Sequence, residues 1–162
     1  MTQTIQVGSD IPSMKLMTAT ADGPKEVTTE ELFGGKKVVV FAVPGAFTPT
    51  CSAKHLPGFV QHTAEFAEKG VDTLVCMAVN DPFVMKAWAK DQNVDDKIVM
   101  LADGSGMFTK ALGLELDLTA RGLGVRSQRF AMIVENGKVT SLMIEAPGGF
   151  DVSRAEAVLA EL

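Results

Sequence analysis

Cysteine is scarce: 162 residues contain two, Cys51 and Cys76. That excludes a disulfide framework, and a chain of this length buries enough surface to need no staple. A basic excess is also missing. The formal charge is −5, and lysines and arginines stand singly or in pairs, so nothing is arranged to neutralise nucleic-acid phosphates or an anionic membrane. No apolar run approaches the length of a membrane span. The opening stretch MTQTIQVGSDIPSMKL has no basic region leading into an apolar one, as a secretory signal would. Repeats, low-complexity tracts and linkers are absent. The soft ligands are only Cys51, His55, His62 and Cys76, and no C-x-x-C or H-E-x-x-H spacing groups them, so no metal is expected. These absences describe one domain over residues 1–162 in a reducing, cytoplasmic setting, where a thiol in an unusual position suggests reactivity.

What is present alternates between strand-like and helix-like segments. KVVVFAV (Lys37 to Val43) and VDTLVCMAV (Val71 to Val79) are continuous and β-branched, as strands covered on both faces are. Between them Leu56, Phe59, Val60, Thr63, Ala64 and Ala67 recur at helical spacing, with Gly70 placed to end the helix. Asn80, Asp81 and Pro82 predict a helix start, with Phe83, Ala87 and Trp88 on its apolar stripe. IVMLA (Ile98 to Ala102) predicts a third strand and MFTKALG a short helix, while Asp103-Gly-Ser-Gly106 reads as a turn. In RFAMIVENGKVTSLMIE, two β-rich runs flank Asn136-Gly137, a pair suited to a hairpin turn needing positive φ at both positions. Ser153-x-x-Glu156 has the form of a capping box opening a final helix to Leu162. The order predicts an α/β fold of thioredoxin-like type, with a mixed sheet, flanking helices and an N-terminal extension.

PGAFTPTC (Pro44 to Cys51) brings a cysteine to the carboxyl end of the first central strand and the start of the next helix. Chemistry collects at such strand ends, and a helix start offers unpaired N–H groups that favour a thiolate. The competing account is a small buried hydrophobe, the commonest role of a free cysteine. Cys51-Ser52-Ala53-Lys54 lacks the second cysteine of a dithiol oxidoreductase.

Pro44-x-x-x-Thr48-x-x-Cys51 resembles the active-site pattern of peroxiredoxins, and VPGAFTPTCSAKHLPGF resembles their peroxiredoxin 5 (type II) subfamily. The likeness runs on through VNDPFVMKAW, LADGSG, RFAMIVENGKV and EAPGGF, covering nearly the whole chain. It implies a thioredoxin-like fold and a thiol peroxidase for hydrogen peroxide and alkyl hydroperoxides, without metal, haem or flavin. Cys51 would attack the peroxide and become a sulfenic acid. Thr48 would hold thiolate and peroxide through its hydroxyl, and Pro44 would shield the site from water. Arg129, just before Phe130, matches the arginine the family needs. Arg126 and Arg121 are competitors by position, Arg126 the stronger by spacing, both otherwise read as solvated surface charge. The C-terminal resolving cysteine of animal-type members has no counterpart in EAPGGFDVSRAEAVLAEL. Glutathione with glutaredoxin, or thioredoxin second, is therefore the implied reductant.

Ionisation is a weak explanation of such reactivity. Bringing a thiol from pKa about 8.5 to about 6 raises its thiolate roughly thirtyfold at pH 7 but lowers intrinsic nucleophilicity roughly thirteenfold, a net gain of about twofold. Polar groups aimed at the breaking O–O bond must supply more. Cys76, inside an apolar strand, reads as an inert buried thiol, the alternative being a resolving cysteine. His55, four residues after Cys51, invites a Cys–His pair, but Pro57 disturbs the helix there and no third group completes it. The methionines read as core filling, with Met85 near a partner surface. Phe47, Phe83 and Trp88 divide between core and the interface of a homodimer, which the resemblance implies. A redox sensor that oxidises without turning over is the alternative from another class.

Overall fold

A computed structural model describes residues 3–162. The strands are β1 (Lys15–Thr20), β2 (Gly23–Thr28), β3 (Lys37–Ala42), β4 (Thr73–Ala78), β5 (Val99–Ala102), β6 (Glu115–Leu118), β7 (Gly124–Ser127), β8 (Phe130–Glu135) and β9 (Lys138–Ile144). The helices are α1 (Thr29–Phe33), α2 (Leu56–Gln61), α3 (Thr63–Glu68), α4 (Pro82–Asp91), α5 (Met107–Leu112) and α6 (Ala155–Leu159). Seven strands form one mixed sheet in the order β2-β1-β5-β4-β3-β8-β9, and β6 and β7 make a separate ribbon. The three apolar strands β3, β4 and β5 pair in parallel at the centre, with antiparallel pairs on both sides. This is the thioredoxin-like arrangement expected. The N-terminal extension is more than an appendage: β1 and β2 form a hairpin that completes one sheet edge through β1 and β5.

Strand alternation sorts the core into two layers. Val39, Phe41 and Val43 face a cluster holding Cys51, Phe59, Cys76 and Trp88. Val38, Val40 and Ala42 face the opposite cluster, with Phe33, Phe108 and Leu112. A β-branched central strand is thus buried on both faces, as a parallel sheet with helices on each side requires. Asn136 and Gly137 take φ of 49° and 77°, the turn their hairpin needs. Asp81 caps α4 by accepting from the Val84 N–H, and the Asp103 carboxylate accepts from the N–H groups of Phe108 and Thr109 at the start of α5.

Four local expectations are corrected. The segment after Cys51 is not one regular helix: residues Cys51–His55 form a π-helical turn, and a break at His62 separates α2 from α3. Pro57 has no N–H to give Ala53, and the changed phase buries Phe66 while exposing Ala64 and Ala67. In α4 the buried residues are Met85 and Trp88, whereas Phe83 is 70% exposed. Met85 is therefore core, not partner surface. The capping box lies elsewhere: Thr28 and Glu31 form one at α1, but Ser153 is committed to Glu145 and α6 starts after Arg154 without a side-chain cap.

Candidate active site

Cys51 follows β3 by a loop whose path is fixed at several points. Val43 N–H continues the strand pairing to Met77 O (3.0 Å), and Ala46 N–H donates to Asn80 Oδ1 (2.9 Å). Phe47 sits at φ 63°, an uncommon conformation for a non-glycine residue in the tight turn before the helix. Cys51 then opens the π turn, closed by Leu56 N–H on Cys51 O. The cysteine is fully buried.

Burial does not make it an inert hydrophobe, because a guanidinium reaches it. Arg129 lies one residue before β8, and Phe130 points to the opposite layer, so alternation turns Arg129 toward the Cys51 side. Its Nη2 donates to Cys51 Sγ at 3.1 Å. Its Nη1 donates to His55 Nδ1 at 2.8 Å. His55 is fully buried, and its Nε2 faces the Ser153 carbonyl at 3.0 Å. A carbonyl accepts only, so Nε2 carries the proton and Nδ1 is the acceptor that Arg129 needs. Phe150 covers the pair, 5.8 Å from the guanidinium carbon and 5.1 Å edge-on from His55.

The expected residues are therefore brought together unevenly. Arg129 is the arginine at the sulfur. Arg126 is neither at the sulfur nor simply solvated: it is half-buried and donates to Val79 O (3.2 Å) and Leu123 O (2.8 Å). A Cβ on Gly45 would stand 3.2 Å from its Nη1, so this arginine braces the loop carrying Pro44. Arg121 is exposed, as expected. Thr48 departs from expectation, since its hydroxyl donates to Gly45 O at 2.6 Å and that proton is unavailable to the sulfur. Pro44 is half-buried at the head of the loop. His55 serves the arginine rather than the cysteine, which sequence spacing alone did not separate. Glu145 and Phe150 escaped the sequence reading and Ser153 entered it only as a helix cap, since nothing in their local pattern ties them to a cysteine about a hundred residues earlier.

Cys76 pairs with Phe41 and Met100 in the sheet centre. Burial pushes its thiol well up, the neighbouring Cys51 adds to this, and Arg129 opposes it. A protonated thiol is a poor nucleophile, consistent with an inert role. A groove of about 770 Å³ between the β1–β2 hairpin and α4 contains none of these groups.

Burial, then the Arg129 charge, lowers His55 from 6.5 to about 3, with the Ser153 carbonyl opposing. The unfolded chain binds a proton there that the folded chain refuses, so this stability is present above about pH 6.5 and lost as pH falls toward about 3. Half-buried His62 is shifted upward by Glu65 and acts in the reverse sense. Urea titrations at pH 5.5 and 4.5 are expected to show wild type losing about 1.4 kcal/mol more per pH unit than His55→Leu. Equal slopes would mean that this imidazole is not kept neutral.

Comparison with known proteins agrees with this geometry. Residues 6–159 match the family described as Redoxin. Peroxiredoxin-2C of Oryza sativa subsp. japonica is 50% identical over 161 residues, covering 98% of each chain. A reduced Prx3 of Vibrio vulnificus in complex with hydrogen peroxide superposes with TM-score 0.92 at 53% identity, covering 97% of this chain and 98% of that one. Peroxiredoxin 5 of Alvinella pompejana superposes with TM-score 0.85 at 37% identity, covering 96% of each. With a cysteine and an arginine in contact at the end of a thioredoxin-like sheet, the chain belongs to the redoxin family and, within it, to the peroxiredoxins of type II, thiol-dependent peroxidases.

Proposed function

We propose that this peroxidase reduces hydrogen peroxide and small alkyl hydroperoxides at Cys51, and that an external thiol, glutathione with glutaredoxin or else thioredoxin, regenerates it. The observation that carries the first part is the 3.1 Å contact from Arg129 Nη2 to Cys51 Sγ. The thiolate attacks the outer peroxide oxygen, forming an S–O bond as the O–O bond breaks. The departing alkoxide or hydroxide takes a proton, and Cys51 is left as a sulfenic acid. Negative charge spreads from sulfur onto two oxygens along this path, and a fixed guanidinium favours that charge more than it favours the resting thiolate. Thr48, whose own proton is held by Gly45, contributes by accepting the O–H of the peroxide. Pro44, half-buried at the head of the loop, shields the site from water and offers no competing N–H. The Vibrio relative's complex with hydrogen peroxide supports the substrate class.

Regeneration by an external thiol is supported by the setting of Cys76, a protonated thiol fixed in a central strand. A first thiol condenses with the sulfenic acid, releasing water and leaving a mixed disulfide. A second thiolate then breaks that disulfide and restores Cys51. Such chemistry fits a reducing compartment such as the cytoplasm. A homodimer is supported by Phe47 (52% exposed), Phe83 (70%) and Met107 (65%). The first two flank one junction, since the Phe47 loop bonds Asn80 just before the helix carrying Phe83.

Mass spectrometry after one equivalent of peroxide is expected to find a sulfenic acid on Cys51 that glutathione converts to an adduct. Arg129→Ala is expected to slow that oxidation about 10²- to 10³-fold. An unchanged rate would remove the arginine from the reaction, and a halt after one equivalent, with reductant present, would identify a sensor. Cys76→Ser is expected to retain glutaredoxin-supported turnover, and its complete loss would restore Cys76 as the resolving thiol. Sedimentation is expected to find a dimer that Phe83→Asp dissociates. A wild-type monomer at every concentration would dismiss the interface.

A further inference from the structure

Glu145 is a nearly buried carboxylate for which the peroxide chemistry above has no use. Its N–H extends the β8–β9 pairing to Arg129 O at 3.0 Å, so both residues leave the sheet side by side. Ile144 belongs to the layer opposite Cys51, and alternation turns Glu145, like Arg129, toward the sulfur's side. One carboxylate oxygen, Oε2, accepts from Asp151 N–H (2.7 Å), Ser153 N–H (2.8 Å) and Ser153 Oγ–H (2.7 Å). The loop after β9 is thus gathered onto a single atom. It closes tightly: a Cβ on Gly149 would stand 3.0 Å from Ala146 O and 3.3 Å from Glu145 Oε1. Burial pushes the carboxyl up, but the Ser153 hydroxyl and the loop N–H groups outweigh it and keep the group ionised.

Two parts of that loop touch the active site. Phe150 covers Arg129 and His55, and the Ser153 carbonyl takes the His55 Nε2–H. The second contact selects the tautomer that leaves Nδ1 free to accept from Arg129 Nη1, which directs Nη2 at Cys51. We propose that Glu145 is a positioning residue for peroxide reduction: by clasping residues 151–153 it fixes Ser153 and His55, and through them the guanidinium nitrogen that faces the sulfur. This rests on the assignment of Cys51 and Arg129 as the reacting centre. The plain alternative is a clasp that only stabilises a loop, and the two accounts differ in which step of the cycle they touch.

The test uses the full chain, pre-reduced and mixed rapidly with hydrogen peroxide. Trp88, the sole tryptophan, donates from Nε1 to Ser52 Oγ at 2.9 Å, beside Cys51, and its fluorescence follows the reaction. Glu145→Gln is expected to slow Cys51 oxidation about tenfold or more, as misplacement of a reacting group does. Release of the glutathione adduct by glutaredoxin, which makes no use of the guanidinium, should keep its wild-type rate. His55→Asn should reproduce the defect, and the double variant should be no slower than the slower single one, since the residues act in series. Ser153→Ala, which deletes one donor and keeps the backbone, should show the same pattern at smaller size and serves if Glu145→Gln does not fold. A lower melting temperature with wild-type oxidation in either Glu145→Gln or Ser153→Ala would overturn the proposal. Multiplying effects of Glu145→Gln and His55→Asn would overturn it equally. If wild type itself were not oxidised at Cys51, the reacting centre would be wrong, a result separable from normal wild type with unaffected variants.

Discussion

The guanidinium of Arg129 is the piece on which the rest of the site depends. It spends one nitrogen on Cys51 Sγ and another on His55 Nδ1. A cation beside a fully buried sulfur is what separates this cysteine from Cys76, which shares the same core layer and has no comparable hydrogen-bond donor. Both sulfurs are buried, and Cys51 is the one with a fixed guanidinium nitrogen against it. The arginine in turn needs an acceptor that carries no charge of its own to compete with the reacting group. Neutral His55, held by the Ser153 carbonyl, meets that requirement.

The sheet explains how groups so distant in sequence meet. β3 delivers the loop that ends in Cys51, and its neighbour β8 begins just after Arg129, with Ala42 opposite Phe130. β9 returns beside β8 and places Glu145 against Arg129. Three strand ends thus supply nucleophile, cation and anion at one end of the sheet. The surrounding rings, Phe41 and Phe59 stacked at 3.9 Å with Phe150 above, keep water from the polar groups between them. Electrostatic contacts are stronger in such a setting than in solvent. Arg126 anchors the loop elsewhere, where it donates to Val79 O and its Nη1 would crowd a Cβ on Gly45 at 3.2 Å.

The π turn links fold to chemistry in a second way. Cys51 and His55 occupy its two ends, so both of the arginine's partners ride on one short segment. The irregular turn, favoured by the missing N–H of Pro57, fixes the spacing of the two groups that the guanidinium holds.

The order of elements, the doubly buried central strands, the Asn136-Gly137 turn and the special standing of Cys51 were legible in the chain, because period, turn chemistry and strand-end position are local signals. Arg129 was legible by family likeness, and the sheet supplied its aim, since strand alternation turns it toward the sulfur while Arg126 stands on the separate β6–β7 ribbon. Two S/T-x-x-E strings looked alike, yet only Thr28 and Glu31 became a capping box, because Ser153 found a stronger partner eight residues back in Glu145. Phe83, expected on an apolar stripe, proved exposed, and Ala64 and Ala67 with it, once the helices took their real phase and packing. Local pattern determined the scaffold and the nucleophile. The tautomer of His55 and the aim of the guanidinium were decided only in three dimensions, because each depends on hydrogen bonds between residues that the sequence sets far apart.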